Sequence, residues 1–128
     1  MSILVDLAQI LPADRIKGRL IDRYSYARDA SFYRLIPELV VQPVNEKEIV
    51  DLFEFSKQVK LPLVFRAAGT SLSGQSVTDG ILVEISRHWQ DFFFDSEKGT
   101  IQVEPGIIGG VVNRRLASYG QKIGPDPA

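Results

Sequence analysis

The sequence predicts an α+β fold: a βαβ unit with short parallel strands, then a β-hairpin, with flanking helices. Three observations carry this. Apolar runs Leu39–Gln42 and Leu61–Phe65 bracket a helical pattern from Asn45 to Lys60. A loop of small residues then separates Leu61–Phe65 from a further apolar run, Ile81–Ile85. Finally, Phe92-Phe93-Phe94 and Thr100-Ile101-Gln102-Val103 flank Asp95-Ser96-Glu97-Lys98-Gly99, the length and glycine of a hairpin turn.

Composition bounds the reading. The 128 residues suit one domain or part of one, and 45% hydrophobic content is enough to bury a core. A net charge of −1 gives no general pull toward nucleic acid or acidic lipid. Without cysteine there is no disulfide framework, thiol catalysis or cysteine-ligated cluster, and His88 alone supplies no multi-histidine metal site. No run reaches the ~20 apolar residues of a membrane span, and no signal peptide opens the chain, so a cytoplasmic location is expected.

Residues 1 to 23 read as a helical leader. Leu4, Leu7, Ala8 and Leu11 recur at helical spacing, Pro12 interrupts them, and Asp14 is placed to cap a second short helix through Leu20. Residues 24–31 have no clean period and should form an ordered loop. Leu39–Gln42 is a strand stopped by Pro43. Asn45 with Glu48 three residues on makes a capping-box pattern, followed by Ile49, Leu52, Phe53, Ser56 and Val59 on one face. Leu61–Phe65 is a buried strand, parallel to the first and its neighbour. Ile81–Ile85 follows the Asp79-Gly80 turn. A last helix from Ile108 to Tyr119 stops at Gly120.

The loop Arg66-Ala67-Ala68-Gly69-Thr70-Ser71-Leu72-Ser73-Gly74-Gln75-Ser76 carries the functional signal. Gly69 and Gly74 allow positive φ, and such a coil turns N–H groups inward toward phosphate oxygens. A polar surface turn has the same composition. The position after the second strand of a βαβ unit, where open α/β sheets bind ligands, favours the phosphate cradle. Neither the Walker pattern nor the Gly-x-Gly-x-x-Gly fingerprint is present. Arg66 fits either a diphosphate contact or a structural pairing.

The ordered set of motifs resembles the amino-terminal part of the FAD-binding domain of vanillyl-alcohol-oxidase-type flavoproteins, the PCMH-type FAD-linked oxidases. The matching pieces are Val41-Gln42-Pro43, Leu61–Val64, Arg66–Gly74, Ile81–Ile85, Val103-Glu104-Pro105-Gly106, Asn113 with Leu116 and Gly120, and Pro125-Asp126-Pro127-Ala128. The resemblance covers residues 24–128, as a partial FAD-binding domain continuing beyond Ala128. It implies non-covalent FAD held by Ala67, Ala68, Gly69, Thr70, Ser71, Gly74, Gln75 and Ser76. Pro43, Pro105 and Gly106 would line the adenosine side, and Asp126 and Pro127 would start the segment along the flavin. Residues 24–31 look like the D-lactate and glycolate dehydrogenase branch. That implies oxidation of a small 2-hydroxy acid with hydride transfer to flavin N5. The family's acid–base groups lie in a later domain, so no catalytic residue is assigned here. The 128 residues alone should be inactive and bind FAD weakly or not at all. Two other readings stay open: the FAD domain of a reductase of cell-wall precursor synthesis, and a cofactor-free interaction module. An uncovered face near Phe92–Phe94 is expected to self-associate.

Overall fold

The structure, a computed structural model, describes residues 3–125. Its elements are α1 (Ile3–Leu7), β1 (Ile16–Lys17), α2 (Leu20–Ser25), β2 (Leu39–Val41), α3 (Glu46–Val59), β3 (Leu63–Arg66), β4 (Ile81–Glu84), β5 (Phe92–Asp95), β6 (Thr100–Val103) and α4 (Gly109–Leu116). A four-stranded mixed sheet has the order β1-β2-β4-β3, and β5 and β6 form a separate antiparallel hairpin.

The strands β2 and β3 are parallel, as expected of a βαβ unit, but they are not neighbours. Both pair with β4, which lies between them: Val40 and Val64 each face Leu82 in register. Burial explains the order. Every residue of β4 is buried, whereas β3 is half-exposed, with Phe65 open to solvent. An apolar strand covered on both faces belongs in the middle, where both its edges are also paired. The expected buried strand Leu61–Phe65 is thus an edge strand, and it begins at Leu63.

Helix α3 follows from its start signal. Asn45 Oδ1 accepts from Glu48 N at 2.9 Å. The reciprocal half of the box is shifted by one residue, because Glu48 Oε2 accepts from Val44 N at 2.8 Å. The same carboxylate takes two guanidinium bonds from Arg15, at 2.7 and 2.8 Å, which hold the Glu48 carboxyl below its ordinary pKa. Lys60, at φ 55°, ends the helix in the left-handed region. Leu52 and Phe55 face the core, and Phe53 points outward, contrary to the expected stripe.

Leu52 and Phe55 meet Leu39, Val41, Ile81, Val83 and Ile85 of the sheet, with Leu7 and Leu11 of the leader closing the same cluster. The leader differs from expectation. Asp14 does not cap a helix. It lies in a 3-10 turn, after which Ile16 and Lys17 pair antiparallel with Val41 and Val40. The open edge of β2 offers ladder bonds that outweigh a short isolated helix. The next helix starts only at Leu20. The C-terminal helix stops as predicted, with Gly120 at φ 66°.

Candidate functional site

The loop leaves the carboxyl end of β3 and runs back to the start of β4. Its geometry divides at Leu72. The N–H groups from Ala67 to Leu72 donate to no protein acceptor among the described residues. Beyond it four of the backbone donors, those of Ser73, Gln75, Ser76 and Gly80, are used internally. Ser71 Oγ accepts from Ser73 N at 3.2 Å and from Gln75 N at 3.1 Å. Ser76 donates through N and Oγ to Asp29 Oδ2, at 3.4 and 3.1 Å. Gly80 N reaches Thr78 Oγ1 at 2.9 Å.

Two glycines are required here. Gly69 has φ 70°, and a Cβ there would stand 2.5 Å from Arg66 Nη2. Gly74 has φ 73°, and its Cβ would stand 2.7 Å from the Tyr33 ring. Arg66 proves structural. Its Nη1 donates to the carbonyls of Tyr26 and Arg28, at 3.3 and 2.7 Å, and its guanidinium lies 5.5 Å from the Tyr26 ring centre. It fastens the segment 26–28 to the start of the loop. Asp29 completes that fastening. The Ser31 hydroxyl, together with the Ser31 and Ser76 backbone and the Ser76 hydroxyl, lowers its pKa to about 2.

Across from Ala67 lies the start of α4. Gly109 and Gly110 N–H groups have no protein acceptor among the described residues, and Ile108 provides no side-chain cap. Gly106 lets this arm approach: its Cβ would meet the Ile85 carbonyl at 2.4 Å. Between the arms is a cleft of about 530 Å³, lined by Ala67, Ala68, Thr70, Gly106 and Gly109 together with Ser86 and Gln90. Unpaired backbone donors on one side and a helix N-terminus on the other suit an anion.

Of the residues expected at a cofactor site, Ala67, Ala68, Thr70 and Gly106 come together in this cleft. Gly69 and Ser71 belong to the same arm. Gly74, Gln75 and Ser76 lie in the internally bonded half. Pro43 is buried, and its carbonyl accepts from Trp89 Nε1 at 2.8 Å. Pro105 lines a separate apolar groove with Phe65 and Trp89. Asp126 and Pro127 lie outside the described residues. Sequence reasoning did not single out Ser86 and Gln90, which carry no local signal. Among the described residues no group of His, Asp or Glu is arranged to hold a metal ion, and no helix is long and apolar enough to cross a membrane.

A family described as FAD binding domain matches residues 37–128. D-2-hydroxyglutarate dehydrogenase of Escherichia coli (strain K12) is 31% identical over 109 residues, covering 82% of this chain and 11% of that protein. Glycolate oxidase subunit GlcD of Bacillus subtilis (strain 168) is 33% identical over 117 residues, covering 90% of this chain and 24% of that protein. Among solved structures, an alkyldihydroxyacetonephosphate synthase superposes with a TM-score of 0.82 at 18% identity, over 98% of this chain and 26% of the other. A p-cresol methylhydroxylase does so with a TM-score of 0.79 at 13% identity, over 92% of this chain and 24% of the other. At those identities the structural likeness is one of fold, the PCMH-type FAD-binding fold. The chain spans only 11% and 24% of the two curated relatives' lengths. With residues 37–128 matched, the chain belongs to the FAD-binding domain family of FAD-linked oxidoreductases, whose cofactor is FAD.

Proposed function

We propose that the Ala67–Leu72 arm and the start of α4 hold the FAD diphosphate, in a flavoprotein that oxidises a small 2-hydroxy acid such as D-lactate or glycolate. The carrying observation is the run of backbone donors from Ala67 to Leu72, left without protein acceptors beside the equally unpaired Gly109 and Gly110. Ala67, Gly69 and Ser71 are half-buried and Ala68, Thr70 and Leu72 exposed, so these donors are open to a ligand's oxygens. FAD, when bound, supplies the acceptor for the hydride leaving C2 of the hydroxy acid, at flavin N5. The work of these residues is to bind and orient. Arg66 and Asp29 hold the arm from beneath, Gly69 keeps side-chain bulk away from it, and the α4 dipole adds positive potential. The names of the two curated relatives, which refer to 2-hydroxyglutarate and glycolate, support the substrate class.

A titration of the chain with FAD, followed by backbone amide shifts, checks the binding role. Shifts should concentrate at residues 67–72 and 108–110, with weak affinity, since only part of the ring pocket belongs to these residues. Millimolar FAD that moves none of those amides would refute the reading. Anaerobic bleaching of the flavin by D-lactate or glycolate, in the longer protein carrying this domain, checks the substrate class.

A further inference from the structure

Glu84 ends the central strand β4 and is 3% exposed. A buried carboxylate must be supplied with donors. Gln42 Nε2 donates to its Oε2 at 2.8 Å, and Arg87 N donates to its Oε1 at 3.2 Å. The Ser86 hydroxyl also bonds Oε1. A carboxylate has only acceptors to offer, so the proton in the Ser86–Glu84 bond is the serine's. Ser86 Oγ then has lone pairs to offer and no proton to give.

Ser86 also lines the cleft, beside Ala67, Ala68, Thr70 and Gly106. Gln90, on the same wall, gives one amide N–H to the Ser86 carbonyl and keeps a second N–H and its Oε1. The cleft therefore offers groups of opposite character. Ala67–Leu72 and the start of α4 present donors, and Ser86 presents an acceptor. A diphosphate is all acceptor and matches only the first kind.

We propose that buried Glu84 fixes Ser86 as a hydrogen-bond acceptor, and that Ser86 Oγ receives a ribose or ribityl hydroxyl flanking the diphosphate. This rests on the cleft being the FAD diphosphate site. Glu84 is a positioning residue: without it, the serine hydroxyl would be free to rotate and donate to phosphate. With it, the wall distinguishes a nucleotide, which brings hydroxyl donors, from a bare anion.

The test measures binding of FAD and of inorganic pyrophosphate to the full chain, with melting temperature recorded for each variant. Ser86→Ala should weaken FAD about fivefold, the worth of one net hydrogen bond, and leave pyrophosphate unchanged. Ser86→Thr should restore FAD affinity. Glu84→Ala removes both carboxylate oxygens and leaves the Ser86 hydroxyl without that acceptor. The freed serine proton should then tighten pyrophosphate and weaken FAD. Equal losses of both ligands in Ser86→Ala would overturn the proposal, because the serine would then be donating to phosphate. So would unchanged FAD binding in a Ser86→Ala chain with wild-type melting temperature. A wild-type chain that binds pyrophosphate but not FAD would sink the cofactor reading instead. In that case tighter pyrophosphate binding by Glu84→Ala still supports the serine's polarity, and an unchanged value overturns it. Binding of neither probe overturns both.

Discussion

The two halves of the 67–80 loop have similar composition and differ in how far their backbone donors are used within the fold. In the second half, Ser73, Gln75, Ser76 and Gly80 all donate to side-chain oxygens of the protein, and Ser76, Val77, Thr78 and Gly80 are buried. In the first half, Ala67 to Leu72 keep their N–H groups unpaired. The difference teaches where a ligand can act. A donor already bonded within the fold must break that bond to reach a phosphate, whereas an unpaired one gives up only water. The second half anchors, and the first half is what the anchor holds in place.

The largest expected effect comes from breaking the anchored half. A Cβ at Gly80 would stand 2.2 Å from the Pro62 carbonyl, a backbone atom that cannot step aside. Gly80→Ala should cost about 3 kcal/mol, the upper range for overpacking. Chemical denaturation checks this, and the molecules still folded should bind FAD as before. Loss of binding in the folded fraction would erase the distinction between the halves.

Gly69→Ala strikes the other half. The left-handed conformation costs a non-glycine residue about 1–2 kcal/mol. The close atoms belong to the Arg66 guanidinium, which can shift. The fold should therefore survive with a modest loss of stability, while FAD affinity falls by more than that loss explains. Parallel melting and titration experiments separate the two quantities.

The smallest effect is the pH dependence at Asp29. Its folded pKa, about 2, lies below that of an unfolded aspartate, about 3.9. A depressed carboxylate contributes stability that is complete above the unfolded value and disappears as pH falls through the folded one. The melting-temperature difference between wild type and Asp29→Asn should be constant above about pH 5 and shrink toward zero near pH 2. A difference that persists undiminished at pH 2 would show that the carboxylate charge is not what ties Ser31 and Ser76 together.

Much of the fold was legible because its signals are local. Asn45 with Glu48, the apolar run Leu39–Val41, the hairpin about Gly99 and the stop at Gly120 each involve residues a few positions apart. The loop was legible as a candidate site for the same reason, since Gly69 and Gly74 do require positive φ. Ser86 was not. Its place in the cleft comes from the turn after β4 meeting Gly106, and its polarity comes from Glu84, whose other partner is Gln42, 42 residues away. Pro43 and Pro105 show the converse. Both sit in recognisable motifs, yet one is buried under Trp89 and the other faces an apolar groove.

By itself, the sequence determined the kind of each principal element, the cap of α3, the parallel sense of β2 and β3, and the glycine-led loop at the carboxyl end of β3. Those follow from backbone preference and hydrophobic spacing, which act over a turn or two of chain. Only the tertiary structure decided that β4 lies between β2 and β3, that Ile16 and Lys17 extend the sheet instead of a helix, and which loop donors stay unpaired. Each of these is settled by competition for partners distant in the chain, and no short stretch of residues records which partner wins.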